Sequence, residues 1–250
     1  MDIKKLSEPL SVDQIEFRVQ SINKGGYATI LAYKDARVDQ QRLDDVVGPL
    51  NWKREHTRDN HNCVISIWCD DKKQWVSKED TGTESSAEKE KGLASDSFKR
   101  AAFNWGIGRE LYDYPVIQIK LNPNEFTVDG NGRAKQSWDL KLKEWKWFTQ
   151  FHEGKVLRVG ARDNHGKVRF DWVDPDLSYK KVCQENESSI LAIKESIQSG
   201  DISSAAEAYY ELDQKTQQEL HKAPTKGGCF TIEEMNVIKS PEFRKAHFGE

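Results

Sequence analysis

The sequence predicts an α+β protein: a β-β-β-α core with a mainly antiparallel sheet packed on a helix, followed by a small C-terminal helical unit. Three observations support this. The first 120 residues or so contain short stretches in which apolar and polar residues alternate, as in half-buried strands. Residues 85–105 have the apolar spacing of a helix that lies on a sheet. Residues 188–250 show only helical patterns, with helix starts predicted at Asp201 and Thr231.

The predicted strands of the core are separated by turn sequences. In residues 15–22 the apolar side chains alternate with charged ones, and Lys24-Gly25-Gly26 provides a turn before the next strand. The exposed sequence Asp70-Asp71-Lys72-Lys73 joins two later strands into a hairpin. The predicted strands are residues 15–22, 27–33, 52–56, 62–69, 74–80 and 116–121.

The long helix has clear signals at both ends. Ser85-Ser86-Ala87-Glu88 has the pattern of a capping box, in which a hydroxyl and a carboxylate bind the open backbone donors of the first turn. Gly106-Ile107-Gly108 ends the helical periodicity. A shorter helix is predicted over residues 38–47, where Gly48-Pro49 stops it.

The composition limits the possible classes of protein. The hydrophobic fraction is 36% and the charged fraction 32%, but eight Trp and ten Phe supply bulky core side chains. With a formal net charge of −3, any nucleic-acid-binding surface must be a local concentration of Lys and Arg. No apolar run approaches the ~20 residues of a membrane span, and the amino terminus lacks the apolar region of a secretory signal. With four widely spaced cysteines, we expect reduced thiols in a cytoplasmic protein.

Changes in composition and hydrophobic pattern divide the chain into four segments. Residues 1–122 form the predicted core, 123–173 a basic, aromatic, β-rich extension, 174–187 a polar linker, and 188–250 the helical unit. Within the extension, residues 133–170 hold ten Lys or Arg against four acids, with aromatic residues between them. These aromatics could stack on bases, but the core of a small β unit, including a hairpin of residues 156–161 and 168–173, is the favoured interpretation.

Lys99 and Arg100 are the main candidates for a phosphate-binding site. On a helix, Lys91, Ser95 and Lys99 share one face, and Arg100 lies one step round from it. A helix that buries its apolar side on a sheet can project such a pair from its margin. The Lys ammonium group would bind a phosphate as a point charge, and the Arg guanidinium would bind one through two parallel N–H groups. A solvated helix face is the alternative, because most surface Lys and Arg bind nothing.

The sequence ASDSFKRAAFNWGIGRELYDYP, with the turn GPLNW before it, resembles the Rad/Sak-type single-strand annealing proteins. These are the phage annealases related to the eukaryotic recombination mediator and to bacterial DdrA proteins. The resemblance spans roughly residues 10–120. It implies a β-β-β-α core, assembly into rings, and DNA held in a basic groove outside the ring.

Carried over by position, the Lys-Arg pair of that family falls on Lys99 and Arg100, which the resemblance implies are contacts to the strand backbone. A further family Arg falls near Arg37, with a gap of one residue. A third is replaced by Phe103, so the groove is expected either to be less basic than in the eukaryotic relatives or to be compensated by another residue. Lys72 and Lys73, at the hairpin turn, are candidate outer contacts by position.

The function we expect is the binding and annealing of single-stranded DNA in recombination and repair by a homo-oligomeric ring or filament. Because annealing needs no covalent chemistry, we expect no enzymatic activity, metal or nucleotide cofactor. The resemblance suggests a phage-encoded protein that acts in the bacterial host cytoplasm. Residues 188–250 carry seven basic and ten acidic residues, so this unit is expected to recruit a single-strand-binding protein or a recombination nuclease rather than DNA. A cap that packs on the core and confers solubility is an equal alternative for a unit of this size.

Two alternatives stay open. One is a metal-dependent nuclease that uses the carboxylates of Asp70, Asp71, Glu79 and Asp80. The other is a passive protector that coats single strands without annealing them. A zinc site of His56, His61, Cys63 and Cys69 lacks the usual ligand spacing, and Lys226-Gly227-Gly228 lacks the frame of a phosphate-binding loop, so neither is expected.

Overall fold

The computed structural model describes residues 2–83 and 89–249, without the side chains of residues 89–91. The chain divides into two compact units, residues 1–172 and residues 173–250. The first unit combines antiparallel sheets with helices, and the second is helical, so the predicted α+β class is confirmed.

The first unit contains most of the strands. Its helices are α1 (Ala36–Val47) and α2 (Lys89–Asn104). Its strands are β1 (Glu16–Ile22), β2 (Tyr27–Tyr33), β3 (Trp52–Thr57), β4 (Asn62–Cys69), β5 (Gln74–Thr81), β6 (Ile117–Lys120), β7 (Phe126–Val128), β8 (Ala134–Gln136), β9 (Lys146–His152), β10 (Lys155–Arg162) and β11 (Val168–Val173).

The predicted β-β-β-α core is the antiparallel sheet β3-β4-β5 with α2 packed on one face. Because side chains alternate along a strand, every second residue of β4 points to the helix. Cys63, Ile65 and Ile67 are buried there, and the helix meets them with Phe98 and two alanines. Helix α1 closes the same core with Leu43 and Val47.

A second core lies between two further sheets, β1-β2-β6 and β9-β10-β11, in which β2 and β10 are the central strands. Ala28 and Ile30 of the first sheet and Val159 and Ala161 of the second belong to one buried cluster. Residues 123–173 are therefore not a separate body, because their apolar side chains complete the core that begins before the predicted boundary at residue 122.

Within this part of the chain, the predicted hairpin of residues 156–161 and 168–173 is confirmed as β10 and β11. Strand β9, by contrast, was not predicted. Its alternation is weakened by polar residues at Lys146, Thr149 and Gln150, although Trp147 and Phe151 pack on the second core.

The second unit is an assembly of short helices around its own core, which includes Ile193, Tyr209, Phe230 and Phe243. Its helices are α3 (Pro175–Glu185), α4 (Glu187–Ser199), α5 (Ile202–Tyr210), α6 (Gln214–Leu220), α7 (Ile232–Ile238) and α8 (Pro241–Phe248).

The predicted linker, residues 174–187, is wrong, because most of it forms α3. The Asp174 carboxylate accepts hydrogen bonds from the backbone N–H groups of Asp176 and Leu177, and Pro175 occupies the first turn of the helix. A proline there costs no hydrogen bond, so a sequence that resembles a linker is also a strong helix start.

The predicted helix starts at Asp201 and Thr231 are both confirmed by side-chain caps. The capping box predicted at residues 85–88 lies outside the described residues. In the part of the chain that the structure covers, no helix is both long enough and apolar enough to cross a membrane.

Candidate nucleic-acid interface

The position of α2 determines which of its charged residues reach the surface. Phe98 is fully buried against the β3-β4-β5 sheet, while Lys99 and Arg100 lie at the margin, half-exposed. At Gly82, just after β5, an added Cβ would lie 2.7 Å from the backbone N of Ser97. The helix therefore packs on the end of the sheet at a distance that only glycine allows, which fixes the height of the Lys99-Arg100 pair above the sheet.

Lys99 and Arg100 line a cleft of about 420 Å³, called the helix cleft below. Its opposite wall comes from β1 and β2, and the turn after α2 closes one end. The lining residues are Arg18, Leu31, Ala32, Tyr33, Lys34, Asp96, Lys99, Arg100, Phe103, Leu111 and Tyr112. Four of these side chains are basic and one is acidic, so the cleft is a local concentration of positive charge on a chain whose net charge is negative.

The two members of the predicted pair differ in how strongly they are held. Arg100 donates from Nε to Asp96 Oδ2 at 3.2 Å, one helical turn away, and the same oxygen accepts a hydrogen bond from the Thr83 backbone. Lys99 makes no hydrogen bond or ion pair within residues 2–83 and 89–249. Arg100 is thus oriented by its neighbour, whereas the Lys99 ammonium group forms no ion pair with the side chains that the structure describes.

Arg18 comes from the polar face of β1 and is the counterpart of the helical pair across the cleft. Its guanidinium lies 4.7 Å from the centre of the Tyr33 ring, on the neighbouring strand β2. The Tyr33 hydroxyl donates to Glu16, and burial with this carboxylate raises the pKa of Tyr33 to about 12. The ring therefore stays neutral and fixed, and it supports Arg18 by a cation–π contact.

Lys34 lies at the bottom of the cleft and is buried. Its ammonium group pairs with the Asp39 carboxylate of α1 and lies 4.3 Å from the centre of the Phe103 ring. Burial lowers the pKa of Lys34, against the opposing effect of Asp39. Because its charge is already compensated, Lys34 shapes the cleft rather than offering a free cation.

The carboxyl end of α2 is also occupied by protein groups. Arg109 donates to the carbonyl oxygens of Phe103 and Asn104, and Lys78 donates to the Asn104 carbonyl at 2.6 Å. These two cations satisfy the last turn of the helix. Beside them, the Tyr112 ring is 67% exposed and lies edge-on to Phe103 at 4.9 Å.

The other predicted contacts do not line the helix cleft. Arg37 is in the first turn of α1 with a side chain 89% exposed, 3.5 Å from Asp35. Lys72 and Lys73 are exposed at the β4-β5 turn, where Lys73 lies 3.8 Å from Asp70. The side chain of Lys91 lies outside the described residues. The structure thus brings together Lys99 and Arg100 and leaves Arg37, Lys72 and Lys73 at separate places.

The strand wall of the cleft, with Arg18, Tyr33 and Lys34, was not predicted from the sequence. The strand pattern of β1 does place Arg18 on its polar face, but nothing in the sequence pairs that face with a helix about 80 residues later. Only the sheet topology, with β1 and β2 adjacent and antiparallel, brings these side chains to one wall.

Several of the residues considered as metal ligands interact with other protein groups. The described residues contain no group of three or more His, Cys, Asp or Glu side chains that could hold a metal ion. Glu79 accepts a hydrogen bond from Asn62, and Asp80 accepts one from Asn104. Cys63 is buried in the core, and burial raises the pKa of its thiol to about 11.

The basic extension is mostly structural, as the favoured interpretation has it. Trp145 is buried, and the Arg169 guanidinium lies 4.4 Å from its ring centre while forming buried ion pairs with Glu125 and Asp163. Arg158 pairs with Asp171 through two hydrogen bonds. Trp138 differs from these residues, because its side chain is 91% exposed.

The fold and the site together define the class of this protein: an α+β unit with a basic cleft between a helix and a pair of strands. Over 115 residues, the chain is 35% identical to the single-stranded DNA-binding protein DdrA of Deinococcus radiodurans. The match covers 45% of this chain and 55% of the relative, so the chain spans about half the length of the curated relative it matches. No protein-family model and no solved structure matches the chain.

Proposed function

We propose that this protein binds single-stranded DNA in the helix cleft and anneals complementary strands as a homo-oligomeric ring or filament, without enzymatic activity or a cofactor. The observation that carries the binding proposal is the convergence of Lys99, Arg100 and Arg18 on one cleft, with Lys99 unpaired among the described residues. Phosphates supply the anion that this arrangement lacks. The similarity to a single-stranded DNA-binding protein supports the same ligand.

The chemistry of the cleft favours single strands over duplex DNA. Tyr112 presents an exposed aromatic ring beside the basic side chains, and unpaired bases can stack on such a ring without sequence preference. In a duplex, the faces of the bases are already covered by the neighbouring base pairs, so they cannot stack on a protein ring. The proposed role in recombination and repair follows from the ligand, since single strands arise there and must be paired again.

The test of binding is the double variant Lys99→Ala/Arg100→Ala, measured against oligothymidylate by fluorescence anisotropy at several salt concentrations. We expect a large loss of affinity and a log–log salt slope shallower by about 0.7 for each lost phosphate contact. Alanine preserves the helix, and a thermal unfolding curve by circular dichroism confirms that the variant is folded.

A matched control removes two exposed lysines that line no part of the helix cleft, Lys155→Ala/Lys167→Ala. This variant loses the same charge and should bind as the wild type does. Lys72→Ala/Lys73→Ala tests the predicted outer contacts, with a smaller loss expected. Normal binding by a folded Lys99→Ala/Arg100→Ala variant would contradict the proposed site.

Annealing is measured separately from binding. Complementary oligonucleotides carrying a fluorophore and a quencher should pair faster with the wild-type protein than without it, and the Lys99→Ala/Arg100→Ala variant should lose this effect. A protein that only protects single strands would bind them and slow their pairing. Light scattering with and without DNA tests the assembly, and a monomer under both conditions would contradict the ring or filament.

A further inference from the structure

Arg18 lines two more clefts besides the helix cleft. The middle cleft, of about 500 Å³, shares Arg18 and Tyr33 with the helix cleft. The Trp138 cleft, of about 370 Å³, shares Phe17, Arg18, Leu142 and Lys143 with the middle cleft. All three belong to residues 1–172, so one surface path runs from α2 across β1 to the segment around Trp138.

The far end of this path is held in place by the second core. Leu142 and Trp145 are buried, and the Phe17 ring of β1 stacks on Trp147 with centroids 3.7 Å apart and planes inclined by 2°. Residues 138–144 therefore run beside the edge strand β1 at a fixed position. Lys141 and Lys143 alternate with the buried leucine and are exposed.

Trp138 is the outlier of this segment, because its indole ring is 91% exposed while most aromatic residues around it are packed. An exposed indole between lysines has the two features of single-strand binding sites: an aromatic face for a base and cations for the flanking phosphates. Both features recur at the helix cleft, where Tyr112 accompanies Lys99 and Arg100.

The acidic residues along the path limit where phosphates can lie. Glu16 is occupied by the Tyr33 hydroxyl and Asp96 by Arg100 and the Thr83 backbone. Asp13 in the middle cleft and Glu144 in the Trp138 cleft are exposed, but the Trp138 cleft also has Arg18, Lys141 and Lys143, whereas the middle cleft has only Arg18 and Lys143. The middle cleft is consequently the least positive part of the path. A strand that crosses it should turn its bases, rather than its phosphates, toward Asp13.

We infer that a single strand held in the helix cleft continues over Arg18 and the middle cleft into the Trp138 cleft. There Trp138 stacks on a base, and Lys141 and Lys143 contact phosphates. This inference rests on the proposed function and extends it, because it assigns a DNA contact to the segment 138–143, outside the β-β-β-α core.

The experiment compares the wild type with Trp138→Ala and with Lys141→Ala/Lys143→Ala, using oligothymidylates of increasing length. With long oligonucleotides, we expect Trp138→Ala to lower the affinity by about 5- to 150-fold, the range for the loss of one stacked base. Lys141→Ala/Lys143→Ala should lower the affinity and make the salt slope shallower by about 0.7 per contact. Trp138→Phe should restore part of the affinity.

The length of the oligonucleotide distinguishes contacts in the helix cleft from contacts in the Trp138 cleft. With oligonucleotides too short to leave the helix cleft, both variants should bind as the wild type does, whereas Lys99→Ala/Arg100→Ala should be impaired at every length. Lys155→Ala/Lys167→Ala is the charge-matched control. Asp13→Asn should raise the affinity several-fold for long oligonucleotides only, an effect opposite in sign to that of the lysine variants.

The outcomes distinguish the inference from the function it extends. If Trp138→Ala and Lys141→Ala/Lys143→Ala match the control at every length while Lys99→Ala/Arg100→Ala is impaired, the path is wrong and the helix-cleft site stands. If Trp138→Ala changes only self-association in light scattering, Trp138 is a subunit contact and the path is again wrong. A wild-type protein that binds no oligothymidylate would overturn both proposals.

Discussion

Lys34, at the end of β2, and Asp39, in the first turn of α1, form an ion pair with side chains only 1% and 0% exposed. The pair joins the strand wall of the helix cleft to α1. Asp39 Oδ2 has no hydrogen-bond partner among the described residues, so the ion pair with Lys34 is the main compensation of the carboxylate, with a smaller electrostatic contribution from Lys99. A buried carboxylate with one partner makes the stability of this region sensitive to the removal of that partner.

Lys34→Met should destabilise the protein by about 3–5 kcal/mol, because it leaves Asp39 buried without its ion-pair partner. The double variant Lys34→Met/Asp39→Leu removes both charges and should recover most of this loss, since apolar side chains of similar volume can replace a buried pair. Urea unfolding followed by circular dichroism measures both. A double variant less stable than Lys34→Met would show that the pair is not the source of the effect.

The stability of the protein should depend on the ionisation of Asp39 between about pH 4 and pH 6. Burial raises the pKa of Asp39 to about 6, against the attraction of Lys34, whereas an unfolded aspartate titrates near 4. The folded state therefore holds the extra proton, and this contribution is present at low pH and lost as the pH rises through 6. Relative to Asp39→Asn, the wild type should lose about 3 kcal/mol over this range. A flat difference would contradict the assignment.

Two arginine–carboxylate pairs of the extension should differ in their effect on stability. Arg169 and Glu125 are nearly buried, at 4% and 8% exposed, whereas Arg158 and Asp171 are more than a third exposed. Glu125→Gln should cost about 3 kcal/mol, because it leaves a buried guanidinium with fewer compensating charges. Asp171→Asn should cost less than about 1 kcal/mol. Equal effects in thermal unfolding would argue against the role of burial.

Gly82→Ala should displace α2 and weaken DNA binding. The added methyl group would meet the Ser97 backbone N at 2.7 Å, a contact that moves the helix rather than a flexible side chain. We expect a loss of about 1–3 kcal/mol in stability, as for other overpacked sites, together with lower affinity for single strands. Gly130→Ala is the control, since an added Cβ there has no atom within 4 Å. An unchanged Gly82→Ala protein would contradict the close packing.

A chain that ends at Val173 should bind single strands as well as the full chain does. Residues 173–250 form a compact unit with a core of their own and carry nine basic and fourteen acidic residues. Removal of this negative charge should leave the affinity unchanged or modestly higher, most visibly at low salt. The cut must fall before α3, because a cut between Pro175 and Glu185 would divide that helix. A folded fragment with clearly lower affinity would place the second unit in the DNA site.

The sequence alone determined the local structure and the order of elements in the core. Alternation marked β1, and the turn Asp70-Asp71-Lys72-Lys73 marked the β4-β5 hairpin. The apolar spacing of α2 placed Phe98 inward and Lys99 and Arg100 at the margin, and caps at Asp201 and Thr231 marked helix starts. These features depend on neighbours within a few residues along the chain, so a sequence pattern contains the information needed to predict them.

The tertiary structure decided which charges are available to a ligand. Lys99, Arg169 and Lys34 are all basic residues beside aromatic ones in the sequence, yet Arg169 and Lys34 are buried in ion pairs, and Lys99 is not. The partners Glu125 and Asp163 of Arg169 lie in other turns of the chain, and Arg18 reaches the cleft from a distant strand. Whether a cation is compensated depends on which anions the fold brings within a few ångströms. The distance between the charges sets the Coulomb attraction, and their burial sets the desolvation cost that opposes it.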